Sequence, residues 1–261
     1  MFNALTIPQS VYRYRWLVYE LVLRDLRLRY RGSVLGLAWT LLNPLIFTGI
    51  YTLVFGAFLH VGIEHYPVYL LAGLAPWMWF SGALQQGTTA LVDGRMYVGK
   101  TIFPIEVLVL VPVLSHGWNF VCTVPIVLLA AALFKIHLTW ALAALPLLAL
   151  IEFFIIYALA LLAASLYVFY RDVQQLVGYV LTAMIFMLPI FYGIRSVPPS
   201  FAFLMRGNPL AAVIVAFQDA IYRGQSPGLD ALLFASFFAL GTLIAAFHVF
   251  NRYRESFGEF V

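Results

Sequence analysis

The chain has 261 residues, 64% of them apolar and only 10% charged, with a mean hydropathy of +0.95 and a formal net charge of +4. A soluble domain carries about 25% charged residues, so a water-soluble globule is excluded, because it would have too little polar surface to show to solvent. Cys122 is the only cysteine, which rules out an intrachain disulfide. The basic excess has no soluble domain to sit on, so it argues for membrane orientation and contact with anionic lipid rather than nucleic-acid binding.

The long uncharged stretches define the predicted elements, since about 20 apolar residues cross the hydrocarbon core. Residues 1–33 come before the first stretch and are predicted as a cytoplasmic amphipathic helix, starting near Pro8 and lying along the membrane surface. Its stripe of Trp16, Tyr19, Leu23, Leu26 and Tyr30 runs beside one of Arg13, Glu20, Arg24, Arg27 and Arg31. No short apolar run with a small-residue cleavage site precedes residue 33, so no cleavable signal peptide is expected. Membrane spans are predicted over residues 34–59, 67–91, 106–133, 140–168, 173–193 and 230–251. The expected fold is an all-α membrane protein with six transmembrane helices, residues 34–261 forming one transmembrane domain. The ~10-residue alternation of an outer-membrane barrel is not seen. Gly32 and Gly36, at the start of the first span, suit either a close helix approach or a tight turn.

Between the second and third spans lies the loop 93–104, from Asp93 through Gly94-Arg95-Met96-Tyr97-Val98-Gly99-Lys100-Thr101 to Phe103-Pro104. It matches G-x-x-x-x-G-K-[ST] literally. A working phosphate loop follows a buried strand and opens a helix inside an α/β domain. Here a membrane span comes before it and Pro104 follows, so the match is read as coincidence. The external segment 193–229 contains Pro198-Pro199, then Asn208 as a helix cap with Pro209 in the first turn. The 12 uncharged residues between Arg206 and Asp219 are too few to cross a bilayer. A short re-entrant helical hairpin is predicted, ended by Gly224, Pro227 and Gly228.

Six spans put both termini on one side. That side holds Arg13, Arg15, Arg24, Arg27, Arg29, Arg31, Arg95, Lys100, Arg171, Arg252 and Arg254, against Lys135, Arg195, Arg206 and Arg223 on the other. The positive-inside rule places both termini in the cytoplasm.

Glu152 is the one acid well inside a span, where a charge costs roughly 2.5–3.5 kcal/mol. It is read as a proton or ion relay, as a hydrogen bond to a polar substrate, or as a carboxyl bonded to a neighbouring helix; with no second mid-span acid the last is preferred. His60, His65, His116, His137 and His248 show no metal-ligand spacing, and the nearby trio His60, Glu64 and His65 forms no catalytic pattern, so neither a metal site nor an enzyme is expected. Trp140 and Tyr66 read as interfacial belt residues. Inside spans lie Trp39 and Tyr51, then Trp77, Trp79 and Phe80, then Phe186, Phe191 and Tyr192. These rings are either packing and belt residues or the lining of a pore whose flat apolar faces suit a sliding sugar chain; both readings stand.

Several segments together resemble the polysaccharide-export permeases of the ABC-2 type, which export O-antigen, capsule and teichoic acid. They are Arg24-Asp25-Leu26-Arg27-Leu28-Arg29-Tyr30-Arg31, Ser33-Val34-Leu35-Gly36-Leu37-Ala38-Trp39, Leu42-Asn43-Pro44-Leu45 and Leu71-Ala72-Gly73-Leu74-Ala75-Pro76-Trp77. Lys100 with Phe103-Pro104, Tyr170-Arg171-Asp172-Val173 and Asn208-Pro209-Leu210 continue the match in order. The resemblance implies that two copies form a channel for a lipid-linked polysaccharide in the bacterial cytoplasmic (inner) membrane. It also implies a separate ATP-hydrolysing subunit that carries the ATP and Mg²⁺, with no cofactor on this chain. In that light Arg27, Arg31, Asp93, Arg95, Tyr97, Lys100, Phe103 and Pro104 would couple to the ATPase. Trp39, Tyr51, Trp77, Trp79, Phe80, Phe186, Phe191 and Tyr192 would line the channel, and Asn208, Pro209 and Phe217 would belong to an external gate. An ABC-2 exporter of drugs or small lipids is the alternative.

Overall fold

The computed structural model describes residues 13–98, 104–254 and 256–257, and every regular element among them is helical. Helix α1 spans Arg15–Arg29 and carries Arg27 and Arg29 in its last turn, where cations complement the helix dipole. It packs on the third span with Val18, Leu21 and Leu26 buried. The predicted stripe is therefore rotated: of its members only Leu26 is buried, while Trp16 and Tyr19 remain 71% and 53% exposed. The inward face is set by a polar triangle. Arg29 Nη2 donates to Asp25 Oδ2 (2.9 Å) and Gln86 Oε1 (2.7 Å), and Gln86 Nε2 donates to Asp25 Oδ1 (2.7 Å).

The chain then turns at Gly32 (φ 77°) and Gly36 (φ 50°), in the left-handed region that glycine enters without strain. No atom lies within 4 Å of where either glycine would carry a Cβ, so the pair makes a turn and not a helix contact. A 3₁₀ turn, Gly36–Ala38, leads into α2 (Trp39–Tyr51), which widens to a π-helical stretch over Thr52–Phe58. Next come α3 (Tyr66–Asp93), the short α4 (Arg95–Val98), α5 (Glu106–Leu133) and α6 (Leu145–Phe169), the last preceded by a 3₁₀ turn at Trp140–Ala144. Helix α7 (Val173–Met187) is followed by α8 (Ala202–Arg206), α9 (Pro209–Gln218) with a π turn over Asp219–Arg223, and α10 (Leu229–Tyr253). Helix α3 is the centre of the bundle, packed by α5 and α6, and α10 covers the far side of α6.

Five stretches among the described residues are long and apolar enough to cross a membrane: Gly36–Phe58, Tyr66–Asp93, Glu106–Leu133, Trp140–Phe169 and Leu229–Tyr253. The predicted fifth span, 173–193, is different. Its helix has only 15 residues, a rise of about 22 Å against a hydrocarbon core of about 30 Å. Proline at 189 pushes the residue before it out of the α region, and Leu188 sits at φ −87°, ψ 148°.

Three carbonyls of the unwound stretch 188–193 accept hydrogen bonds from side chains, the kind of partner that backbone in an apolar medium needs. Tyr66 donates its hydroxyl to Phe191 O (2.9 Å) and Gln218 Nε2 donates to Pro189 O (2.9 Å). The Tyr69 hydroxyl sits between Pro189 O (2.9 Å) and Tyr192 O (2.8 Å). Tyr66, predicted as a belt residue, is thus a buried clamp, whereas Trp140 is 94% exposed.

Beyond the break, the stretches Pro199–Met205 and Pro209–Arg223 meet at 94°. Asn208 caps the second as predicted, its Oδ1 accepting from the Leu210 and Ala211 amides at 3.0 and 3.4 Å. Glu152 is fully buried in α6, but neither carboxyl oxygen has a hydrogen-bond partner among the described residues. The interhelical bond preferred for it is not made.

Candidate docking face and transport groove

The end of the bundle that carries α1 is polar. Arg24 Nη1 donates to the Tyr97 hydroxyl (2.9 Å), and its guanidinium lies 5.8 Å from that ring's centroid, tying α1 to α4. Arg254, just after α10, pairs with Glu106 at the start of α5 (3.4 Å). A cleft of about 130 Å³ opens between α1, α3 and α5, with Arg24, Asp93 and, from α4, Tyr97 on its walls. Of the residues predicted to couple to a partner, Arg27, Arg31, Asp93 and Arg95 are exposed at this end, Tyr97 is half-buried and Pro104 is buried. Lys100 and Phe103 lie outside the described residues. The G-x-x-x-x-G-K-[ST] match begins at Gly94, the cap of the 28-residue helix α3, and not after a strand.

A second cavity, of about 660 Å³, lies between α2, α3 and α5 and reaches Ile185 of α7. It gathers four of the predicted channel residues, Trp39, Tyr51, Trp77 and Trp79. The other four are elsewhere. Phe80 is 1% exposed in the core. Phe191 is fully buried, stacked on Phe55 (4.7 Å) and edge-on to Tyr51 (4.7 Å). Phe186 is exposed and Tyr192 half-buried. Phe217, predicted for the gate, packs inside the bundle against Phe120 at 5.6 Å.

Sequence reasoning singled out the rings of this groove and missed its polar wall. Arg29, Tyr30, Thr40, Asn43, His116 and Asn119 all face it. The Tyr30 and Thr40 hydroxyls share a hydrogen bond (2.9 Å), and Thr40 Oγ1 reaches Asn119 Oδ1 (3.5 Å). His116 Nε2 meets Gln86 Oε1 at 3.0 Å, joining the wall to the triangle of Arg29 and Asp25. The available signal was that Asn43, His116 and Asn119 are polar residues inside predicted spans, where such groups are costly. No group of three or more His, Cys, Asp or Glu side chains among the described residues is arranged to hold a metal ion.

An all-helical bundle with several membrane-crossing stretches, a polar end built from α1 and α4, and a ring-lined groove defines a multi-pass membrane protein. The chain belongs to the ABC-2 type transporter family, whose model matches residues 17–222. It is 31% identical to an O-antigen export system permease protein of Myxococcus xanthus over 97% of this chain and 98% of the relative. It is 28% identical to an O-antigen export system permease protein of Klebsiella pneumoniae, over 90% and 91% of the two chains. A polysialic acid transport protein of Escherichia coli is 23% identical over 92% and 94%.

Proposed function

We propose that this chain is the membrane subunit of an ATP-driven polysaccharide exporter, with O-antigen-like, lipid-linked glycan as its cargo. The observation that carries the reading is end-to-end similarity to relatives named for two different cargoes, O-antigen and polysialic acid, both of them polysaccharides. Two copies pair to form the channel, and a separate subunit binds ATP and Mg²⁺. The cleft beside α1, held by Arg24 and Tyr97, receives that subunit and passes its movement into α3 and α5. Helix α7 and the unwound stretch 188–193 together make the sixth crossing, which leaves both termini in the cytoplasm of a bacterium, with the chain in its inner membrane. Helices α8 and α9 re-enter the outer leaflet as an external gate.

The test is reconstitution. The purified chain alone is expected to turn over no ATP. Adding the ATP-binding subunit of the same transporter should produce hydrolysis, and removing the gene from its host should abolish surface polysaccharide. Hydrolysis by the chain alone, or an unchanged surface glycan after deletion, overturns the reading.

A further inference from the structure

We propose that the groove between α2, α3 and α5 is a binding subsite for neutral sugar units, read by the side-chain amides of Asn43 and Asn119. The inference rests on the polysaccharide reading and specifies which part of the chain touches cargo and what chemistry it accepts.

The volume of about 660 Å³ suits a small ligand, within the roughly 300–1,000 Å³ range of such sites. Its chemistry is divided. Trp39, Trp77 and Tyr51 supply flat apolar faces, while Thr40, Asn43 and Asn119 supply hydrogen-bonding groups. A pyranose ring has the same division, with C–H faces and hydroxyl edges. Asn43 is the group least explained by folding. It is half-buried in the first half of the membrane-crossing stretch Gly36–Phe58, and its amide has no partner among the described residues. An unpaired amide in an apolar medium is costly, and its two donors and one acceptor match the alternation of vicinal hydroxyls. Pro44, also on the wall, has no N–H to give the Thr40 carbonyl.

Charge sets the ligand class. Arg29 is the one charged residue among the described residues that line the groove. Its guanidinium is already held by Asp25 (2.9 Å) and Gln86 (2.7 Å). The Asp25 carboxylate neutralises that cation and would repel a phosphorylated or acidic ligand, so the wall is matched to neutral rings.

The experiment uses the full-length chain in nanodiscs together with its ATP-binding partner. Saturation-transfer NMR is read with maltotriose as the neutral probe and glucose 1-phosphate as the anionic one. The wild type should respond to maltotriose and not to glucose 1-phosphate. Asn43→Leu and Asn119→Leu should each weaken the maltotriose response about tenfold, the scale of one lost hydrogen bond. Asn43→Gln, which keeps the amide, should retain part of it, and Leu45→Ala, on another face of α2, should change nothing. Asp25→Asn removes the charge that neutralises Arg29 and should create a glucose 1-phosphate response, a gain that a merely structural role cannot produce. A wild type that answers both probes equally or neither, or an Asn43→Leu variant that binds maltotriose normally, overturns the proposal. Surface polysaccharide separates the two readings. Export by the wild type with normal binding and export by Asn43→Leu sinks the subsite alone, and no export by the wild type sinks the exporter.

Discussion

The first and second membrane-crossing stretches are similar in apolar character and opposite in environment. Only 11% of the apolar window in Gly36–Phe58 is buried, against 78% in Tyr66–Asp93. In the second stretch polar groups close on the protein itself: Thr88 Oγ1 donates to Leu84 O (2.7 Å), Trp79 Nε1 to Val113 O (3.0 Å) and Ser81 Oγ to Trp77 O (2.8 Å). Its glycines sit at crossings; a Cβ on Gly87 would come within 2.9 Å of the Ala160 methyl. In the first stretch the hydroxyls of Thr48 and Thr52 are unpaired, and nothing lies within 4 Å of a Cβ built on Gly49. Burial without satisfaction is costly. The contrast therefore separates a core closed within the chain from a helix left mostly open to its surroundings.

The sharpest way to break that contrast is a matched pair of glycine substitutions. Gly87→Leu forces α3 and α6 apart and should cost about 3 kcal/mol, seen as a large drop in melting temperature or loss of a monodisperse peak in detergent. Gly49→Ala should gain about 0.5–1 kcal/mol, because the residue is helical and unopposed. If both variants fall together, α2 is packed as tightly as α3 and the distinction is gone. Next in size is the clamp on the helix break. Tyr69→Phe removes the hydroxyl proton between Pro189 O and Tyr192 O, leaving Gln218 Nε2 on Pro189 O, and should cost about 1–3 kcal/mol. The loss should be local, as faster amide exchange over 188–193 with α5 unchanged. Uniform exchange across the bundle would mean that the break is part of the core.

Hydropathy marked both stretches as spans, and that explains what could be read in advance. Spans such as 106–133 and 140–168 follow from the lack of charge alone, because length and apolarity suffice to place a helix in lipid. The Asn208-Pro209 start of α9 was also readable, since a cap is a local rule. Which side of a helix faces protein was not. Val18 and Leu21 are buried where Trp16 and Tyr19 are exposed, and the choice depends on Gln86, 57 residues away from Arg29 in the chain. Tyr66 looked like an interfacial ring because its hydroxyl's acceptor, Phe191 O, lies 125 residues on. In a membrane protein the outward and inward faces are both apolar, so the amphipathic pattern that reveals a soluble core carries little information. The polar groups are the better guide, and the three that mark the groove, Asn43, His116 and Asn119, were visible as exceptions within apolar runs.

The smallest effect separates lipid from protein as the neighbour of α2. Most hydroxyls in the crossing helices bond the carbonyl four residues earlier, as in Thr88, Thr123, Ser165, Ser236 and Thr242. Thr48 does not, although it is only 7% exposed. Thr48→Val deletes an unpaired hydroxyl at nearly constant shape and should stabilise the isolated chain by up to about 1 kcal/mol. Thr88→Val loses a bond already made and should do the reverse by a similar amount. The pair is read by thermal melting of the monomer in dilute detergent and of the assembled complex in nanodiscs. A gain for Thr48→Val in detergent that disappears in the complex means that assembly repacks α2 and brings the buried hydroxyl an acceptor. A gain of equal size in both settings means that lipid covers α2, and its unpaired hydroxyls then serve no assembly.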